Sequence, residues 1–188
     1  MAVLKRPLSA GFLLLAVLLG ESPAAGAGET ASEYDVKAAF LYNFTKFVEW
    51  PSWAFHDDRS TVRLCVLGED PFGGSLQEFA EGEVAGRRVT VLRVRSMGAP
   101  AGCQILFVSR SERERLPLIL REVRDAPVLT VGDMRGFLEE GGIVNFVLDG
   151  SKIRFEINQE AAERAGIRIS SRLLRLATRV VTSPRPGS

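Results

Sequence analysis

Histidine and cysteine are almost absent from this chain of 188 residues, which has one histidine, His56, and two cysteines, Cys65 and Cys103. So few ligands cannot build a closed zinc site, which takes four. A Ser-His-Asp triad would have to use His56, which lies in a polar stretch beside Asp57 and Asp58. No Gly-x-Ser-x-Gly elbow accompanies it, and it reads as a surface residue. An excess of one charge is lacking too: 24 basic and 23 acidic residues leave a formal net charge of +1, spread without blocks. That gives no electrostatic footprint for nucleic acid. The Gly-rich run Gly68–Gly74 has neither the Lys-Ser/Thr of a phosphate-binding loop nor the spacing of a dinucleotide fingerprint, and reads as turn chemistry. Glu139 and Glu140 are adjacent on an expected helix, so they point apart and make a solvated face, not an acid–base pair. No apolar run reaches the roughly 20 residues that span a bilayer.

What is present fits one packed domain: 46% of residues are apolar and 25% charged, enough core for a chain of this length. The first 27 residues have the order of a cleavable signal peptide. Lys5 and Arg6 precede a short apolar run, Ala10–Gly20, and Ala25-Gly26-Ala27 supplies small residues at the cleavage site. Cleavage after Ala27 removes Lys5, Arg6 and Glu21 and leaves a neutral mature chain. Export and an even cysteine count favour a bridge between Cys65 and Cys103. The alternative is two buried thiols packed as small apolar residues.

Periodicity predicts a helix over Ser32–Glu49, capped by Ser32, with Val36, Phe40, Phe44, Phe47 and Val48 on its apolar face and Pro51 as its stop. Phe44 and Phe47 are expected in the core. Trp50 and Trp53 fall in a turn that seldom buries two rings. Strands are expected at Val62–Leu67, Arg88–Val94, Ile105–Val108 and Val128–Val131. A short helix opened by Pro71 runs to Ala80. A longer one runs from a Ser111 cap to Arg124, separated or kinked in its first turn by Pro117. Arg135–Glu140 reads as a short helix. Ile143–Leu148 and Ile153–Ile157 form a hairpin around Asp149-Gly150. Asn158 caps a helix over Gln159–Ala165 that Gly166 ends, and a last helix covers Ser171–Val181. Strands alternating with helices imply an α/β class: a single domain over 28–182, a mostly parallel central sheet with flanking helices and a late antiparallel hairpin, and a flexible tail over 183–188.

An ordered series of segments resembles the YfiR family of periplasmic proteins. The opening is Val36-Lys37-Ala38-Ala39-Phe40-Leu41-Tyr42-Asn43-Phe44 through Trp50-Pro51. Leu64-Cys65-Val66-Leu67-Gly68, Cys103-Gln104-Ile105-Leu106-Phe107-Val108 and Val128-Leu129-Thr130-Val131-Gly132-Asp133 follow. Gly141–Phe146, Phe155–Asn158 and Ala165-Gly166 through Ser170–Ala177 complete the series. The resemblance implies a non-enzymatic α/β protein that needs no cofactor or metal. It further implies a repressor that binds the periplasmic domain of an inner-membrane diguanylate cyclase or sensor kinase, limiting cyclic di-GMP and biofilm. Cys65 and Cys103 match a family disulfide. The second cysteine pair of some relatives is missing here, so redox control through that pair has no counterpart. The resemblance leaves room for a small-molecule ligand and for a homodimer.

Two functions therefore compete: a protein-binding repressor, and a periplasmic small-molecule binder without a cyclase partner. The end of the first helix offers Lys46, Glu49, Trp50 and Trp53, and the stretch before the last helix offers Arg168, Ser170 and Arg172. Aromatic rings with arginine are the usual energetic anchors of interfaces. These two stretches are expected to lie side by side as the recognition surface. An N-terminal turn at Ser170-Ser171 is expected to add backbone donors for an anion.

Overall fold

The computed structural model describes residues 27–55, 61–79, 82–95 and 102–182. The expected signal peptide up to residue 26, His56 and the tail 183–188 lie outside them. Chain order is α1 (Ala27–Phe44), β1 (Val48–Glu49), a 3-10 turn (Ser52–Ala54), β2 (Val62–Leu67), α2 (Ser75–Phe79), β3 (Glu83–Val84), β4 (Arg87–Val94) and β5 (Ile105–Val108). There follow a 3-10 stretch (Arg110–Arg115), α3 (Leu116–Val123), β6 (Leu129–Gly132), β7 (Val144–Asp149), β8 (Lys152–Asn158), α4 (Gln159–Arg164), β9 (Arg168–Ile169), α5 (Ser171–Leu174) and β10 (Arg179–Val181).

A parallel sheet covered on both faces needs strands that are apolar in succession. Every residue of β5 and β6 is buried, as is all of β2 but Arg63. These strands form the middle of an eight-stranded sheet of order β10-β8-β7-β6-β5-β2-β4-β3. The run β4, β2, β5, β6, β7 is parallel throughout. β8 returns antiparallel from β7 through a turn at Gly150, whose φ of 61° suits glycine. Alternation divides the side chains into two layers. Leu64, Val66, Ile105 and Phe107 face α1, α2 and α4, while Cys65, Leu67, Leu106 and Val108 face α3. Phe44 is fully buried, stacked at 5.9 Å on Phe146 and edge-on at 5.4 Å to Phe155. The Cys65–Cys103 bridge lies in the α3-side layer, with its Cα atoms 5.9 Å apart.

The α/β class, the mostly parallel sheet, the late hairpin and the Asn158 cap match the sequence reading; the Asn158 side chain accepts from the Ala161 amide at 3.0 Å. Several element boundaries differ. The first helix starts at Ala27, so Ser32 is internal, and it ends at Phe44 instead of Glu49. Thr45 turns its hydroxyl back to the Tyr42 carbonyl, and Val48 leaves to pair with Ile169. Phe47 is consequently only half-buried, and Val36 is 42% exposed. Ser111 does not cap the third helix: its hydroxyl accepts from the Glu69 amide at 3.0 Å, and a 3-10 stretch precedes Pro117. Arg135–Glu140 is a chain of turns, because Phe137 is drawn into the core between Gly132 and Gly142. A Cβ on Gly132 would stand 2.4 Å from its ring. The last helix stops at Leu174, and Arg179–Val181 joins the sheet beside β8.

Candidate functional site

The two stretches expected to form a recognition surface are hydrogen-bonded to each other. β1 and β9 make a separate two-stranded antiparallel pair, with Val48 opposite Ile169 and Glu49 opposite Arg168. The Ser170 amide donates to the Phe47 carbonyl at 2.9 Å and extends the pairing. Opposed side chains on one face of such a pair are direct neighbours. Arg168 Nη2 accordingly donates to Glu49 Oε2 at 2.7 Å, although the two side chains are 83% and 68% exposed. The Arg172 guanidinium stands 5.7 Å from the centre of the Phe47 ring. Lys46 donates to Asn43 Oδ1 at 3.1 Å and lies over the Tyr42 ring. Trp53 is 65% exposed and borders Gly166.

Two of the expected residues have other duties. Trp50 is half-buried and its Nε1 donates to the Gln104 carbonyl at 3.1 Å, fixing the β1 turn to the sheet. Ser170 caps α5 by accepting from the Leu173 amide at 3.3 Å. α5 has only four residues, and the Leu173 and Leu174 amides already donate to the Ser170 carbonyl. The Leu173 and Leu174 amides at that helix start are thus taken up within the turn; the exposed corner consists of Lys46, Glu49, Trp53, Arg168 and Arg172.

A second constellation has no counterpart in the sequence reading. At the C-terminal ends of β5 and β6, Asp133 Oδ2 accepts from Lys37 Nζ at 2.6 Å and from Tyr34 Oη at 2.9 Å and is ion-paired with Arg110 Nη2 at 3.1 Å, while Arg110 Nε donates to the Asp133 carbonyl at 3.1 Å. Lys37 also pairs with Glu33. The Lys37 and Asp133 side chains are 2% and 1% exposed. Asp133 Oδ1 is buried, with no hydrogen-bond partner among the described residues. Burial, and then the Asp133 charge, push the Tyr34 phenol far above the ordinary tyrosine range. The cluster fastens the middle of α1 across the carboxyl ends of the strands, beside the β2–β5 junction where the strand order reverses. Open parallel sheets commonly bind ligands at such a junction; here α1 covers it. One signal for the cluster was legible: Lys37 is in phase with Leu41 and Phe44, on the core side of α1.

An open cleft of about 350 Å³ separates α3 from α4, lined by Arg121, Arg124, Glu139, Glu140, Glu160 and Arg164 among others. It shares no lining residue with the corner, and its size is at the low end for ligand pockets. Among the described residues, no three histidine, cysteine, aspartate or glutamate side chains are placed to hold a metal. Among them also, no helix is long and apolar enough to cross a membrane.

A family model described as YfiR/HmsC-like matches residues 34–178. Among solved structures, a conserved domain protein from Vibrio cholerae O1 biovar eltor is similar, with a TM-score of 0.52 and 14% identity over 78% of this chain and 60% of that one. At that identity the likeness shows the fold alone. An ABC domain from Streptococcus pneumonia, solved in complex with L-Trp, aligns with a TM-score of 0.48 and 15% identity over 64% of this chain and 55% of that one. The chain thus spans little more than half the length of these two proteins.

Proposed function

From the premise that this chain belongs to the YfiR/HmsC-like family, whose members are periplasmic regulators of diguanylate cyclase signalling, we propose that it represses one membrane-bound partner. The partner is the periplasmic domain of an inner-membrane diguanylate cyclase or sensor kinase, and repression limits cyclic di-GMP and biofilm formation. The corner formed by β1 and β9 is the contact surface. The observation that supports this reading is the pairing of Glu49 with Arg168, which joins the segment of Lys46 to that of Arg172, while the exposed Trp53 borders Gly166. Tryptophan and arginine contribute most strongly to interfaces when a partner desolvates them. The cleft between α3 and α4 is open and charged, which favours a protein-binding role over an enclosed small-molecule site.

The protein reaches the partner by export: residues 1–27 act as a signal peptide, and the mature domain covers 28–182 with a short tail. N-terminal sequencing of periplasmic material should begin at or near Gly28; an intact leader on soluble protein would refute export by cleavage. The functional test is Arg172→Glu in a strain lacking the chromosomal copy. Cyclic di-GMP should rise to the level of the deletion strain while the purified variant keeps its fold. Full repression by Arg172→Glu would place the contact surface elsewhere.

A further inference from the structure

We propose that Glu49 is an internal competitor for Arg168, and that the corner recognises an acidic surface on its partner, to which Arg168 transfers when the two proteins meet. This rests on the reading of the corner as the contact surface and adds the chemistry of what it contacts. The charges of the two paired segments do not balance. Residues 45–50 and 166–172 carry three cations, Lys46, Arg168 and Arg172, and one carboxylate, Glu49. Among the described residues, Lys46 is bonded to a neutral amide and Arg172 lies over an aromatic ring, so neither is neutralised by an acid. The excess positive charge complements a partner surface that presents carboxylates.

The Glu49–Arg168 contact is suited to exchange. Arg168 meets Glu49 through one Nη2–Oε2 bond, not the two-bonded fork that arginine makes with a well-placed carboxylate. Both side chains are largely in water, where an ion pair is weak and easily broken. The backbone register of β1 and β9 sets the two residues opposite each other, so the pair forms by proximity and the sheet does not depend on it. A partner carboxylate that grips Arg168 through a two-bonded fork gains more than the single exposed bond to Glu49, because the added charge-assisted bond offsets the cost of desolvation. Glu49 must then be displaced, and its own negative charge opposes the incoming acid. Trp53, exposed and a few residues away along the chain, supplies apolar area for a contact that charge alone would leave weak.

The sign of one substitution separates this idea from a generic contact role. The native-host strain is complemented from a titratable promoter with wild type, Glu49→Gln, Arg168→Gln, the double variant, and Arg172→Glu as reference. Cyclic di-GMP is read against the measured periplasmic protein level. Glu49→Gln should repress better than wild type, with half-repression at a level lower by about three- to tenfold, as expected for removing a repulsive rim charge. Arg168→Gln should need more protein, and Glu49→Gln should give a smaller gain when Arg168 is already Gln. An unchanged or weaker Glu49→Gln, with Arg172→Glu inactive, overturns the competitor model and leaves the contact surface standing. An active Arg172→Glu overturns both. Equal thermal melting of the purified variants excludes a folding artefact, since both side chains are exposed.

Discussion

Lys37 and Asp133 stand 96 positions apart in the chain, yet Nζ and Oδ2 meet at 2.6 Å, and solvent reaches almost nothing of either side chain. Burying two charges is costly, and this pair repays the cost only through its remaining partners, Glu33, Tyr34 and Arg110. Removing one member strands the other. Lys37→Met should destabilise the domain by about 3 kcal/mol, in line with broken buried pairs. Urea unfolding checks this; a loss below about 1 kcal/mol would show that Arg110 and Tyr34 alone satisfy Asp133.

Tyr34 gives the cluster a pH signature. Burial and then the Asp133 carboxylate keep its phenol protonated far above the ordinary tyrosine range. The folded state therefore holds a proton that the unfolded chain releases at about pH 10. The stability contributed is full below that pH and declines as the pH rises further. On a Tyr42→Phe background, where Tyr34 is the last tyrosine, tyrosinate absorbance should appear only together with loss of circular dichroism. Reversible ionisation near pH 10 in a folded protein would contradict the assignment.

Phe44 and Phe47 differ by only three positions, but their truncations should differ in cost. Phe44 is fully buried against Phe40, Phe146 and Phe155, so Phe44→Ala should cost about 3–5 kcal/mol. Phe47 is half-buried beneath Arg172, and Phe47→Ala should cost about 1–2 kcal/mol, since less area returns to water. Chemical denaturation of the two variants side by side measures the difference; equal losses would place Phe47 in the core.

The Cys65–Cys103 bridge closes a loop over a sequence separation of 38 residues. In the chain-entropy account, such a crosslink stabilises by about 3–4 kcal/mol. Thiol titration of the unreduced, denatured protein should find no free thiol, and a Cys65→Ala/Cys103→Ala pair should lose stability of that size. Two free thiols in periplasmic protein would refute the bridge.

Local pattern alone determined much of this molecule. The apolar runs of β2, β5 and β6 carry enough apolar area to be buried in any arrangement, and their β-branched content specifies strand. The hairpin at Gly150 and the cap at Asn158 are written in neighbouring residues, so short-range chemistry suffices to find them. Composition marks Trp50, Trp53, Arg168 and Arg172 as interface candidates at two chain positions, and the pairing of β1 with β9 joins those positions. Tertiary structure decided everything that depends on a distant partner. β1 and β9 have two residues each and no periodicity of their own; each is a strand only because the other lies beside it. Arg179–Val181 has helical spacing with Leu173, Leu174 and Ala177, yet pairing with β8 wins. Phe137 breaks the expected helix over Arg135–Glu140 because two glycines leave room for its ring in the core. The Lys37–Asp133 cluster follows the same logic: a lysine at a core position of a helix announces a problem, and only the fold brings the carboxylate that solves it.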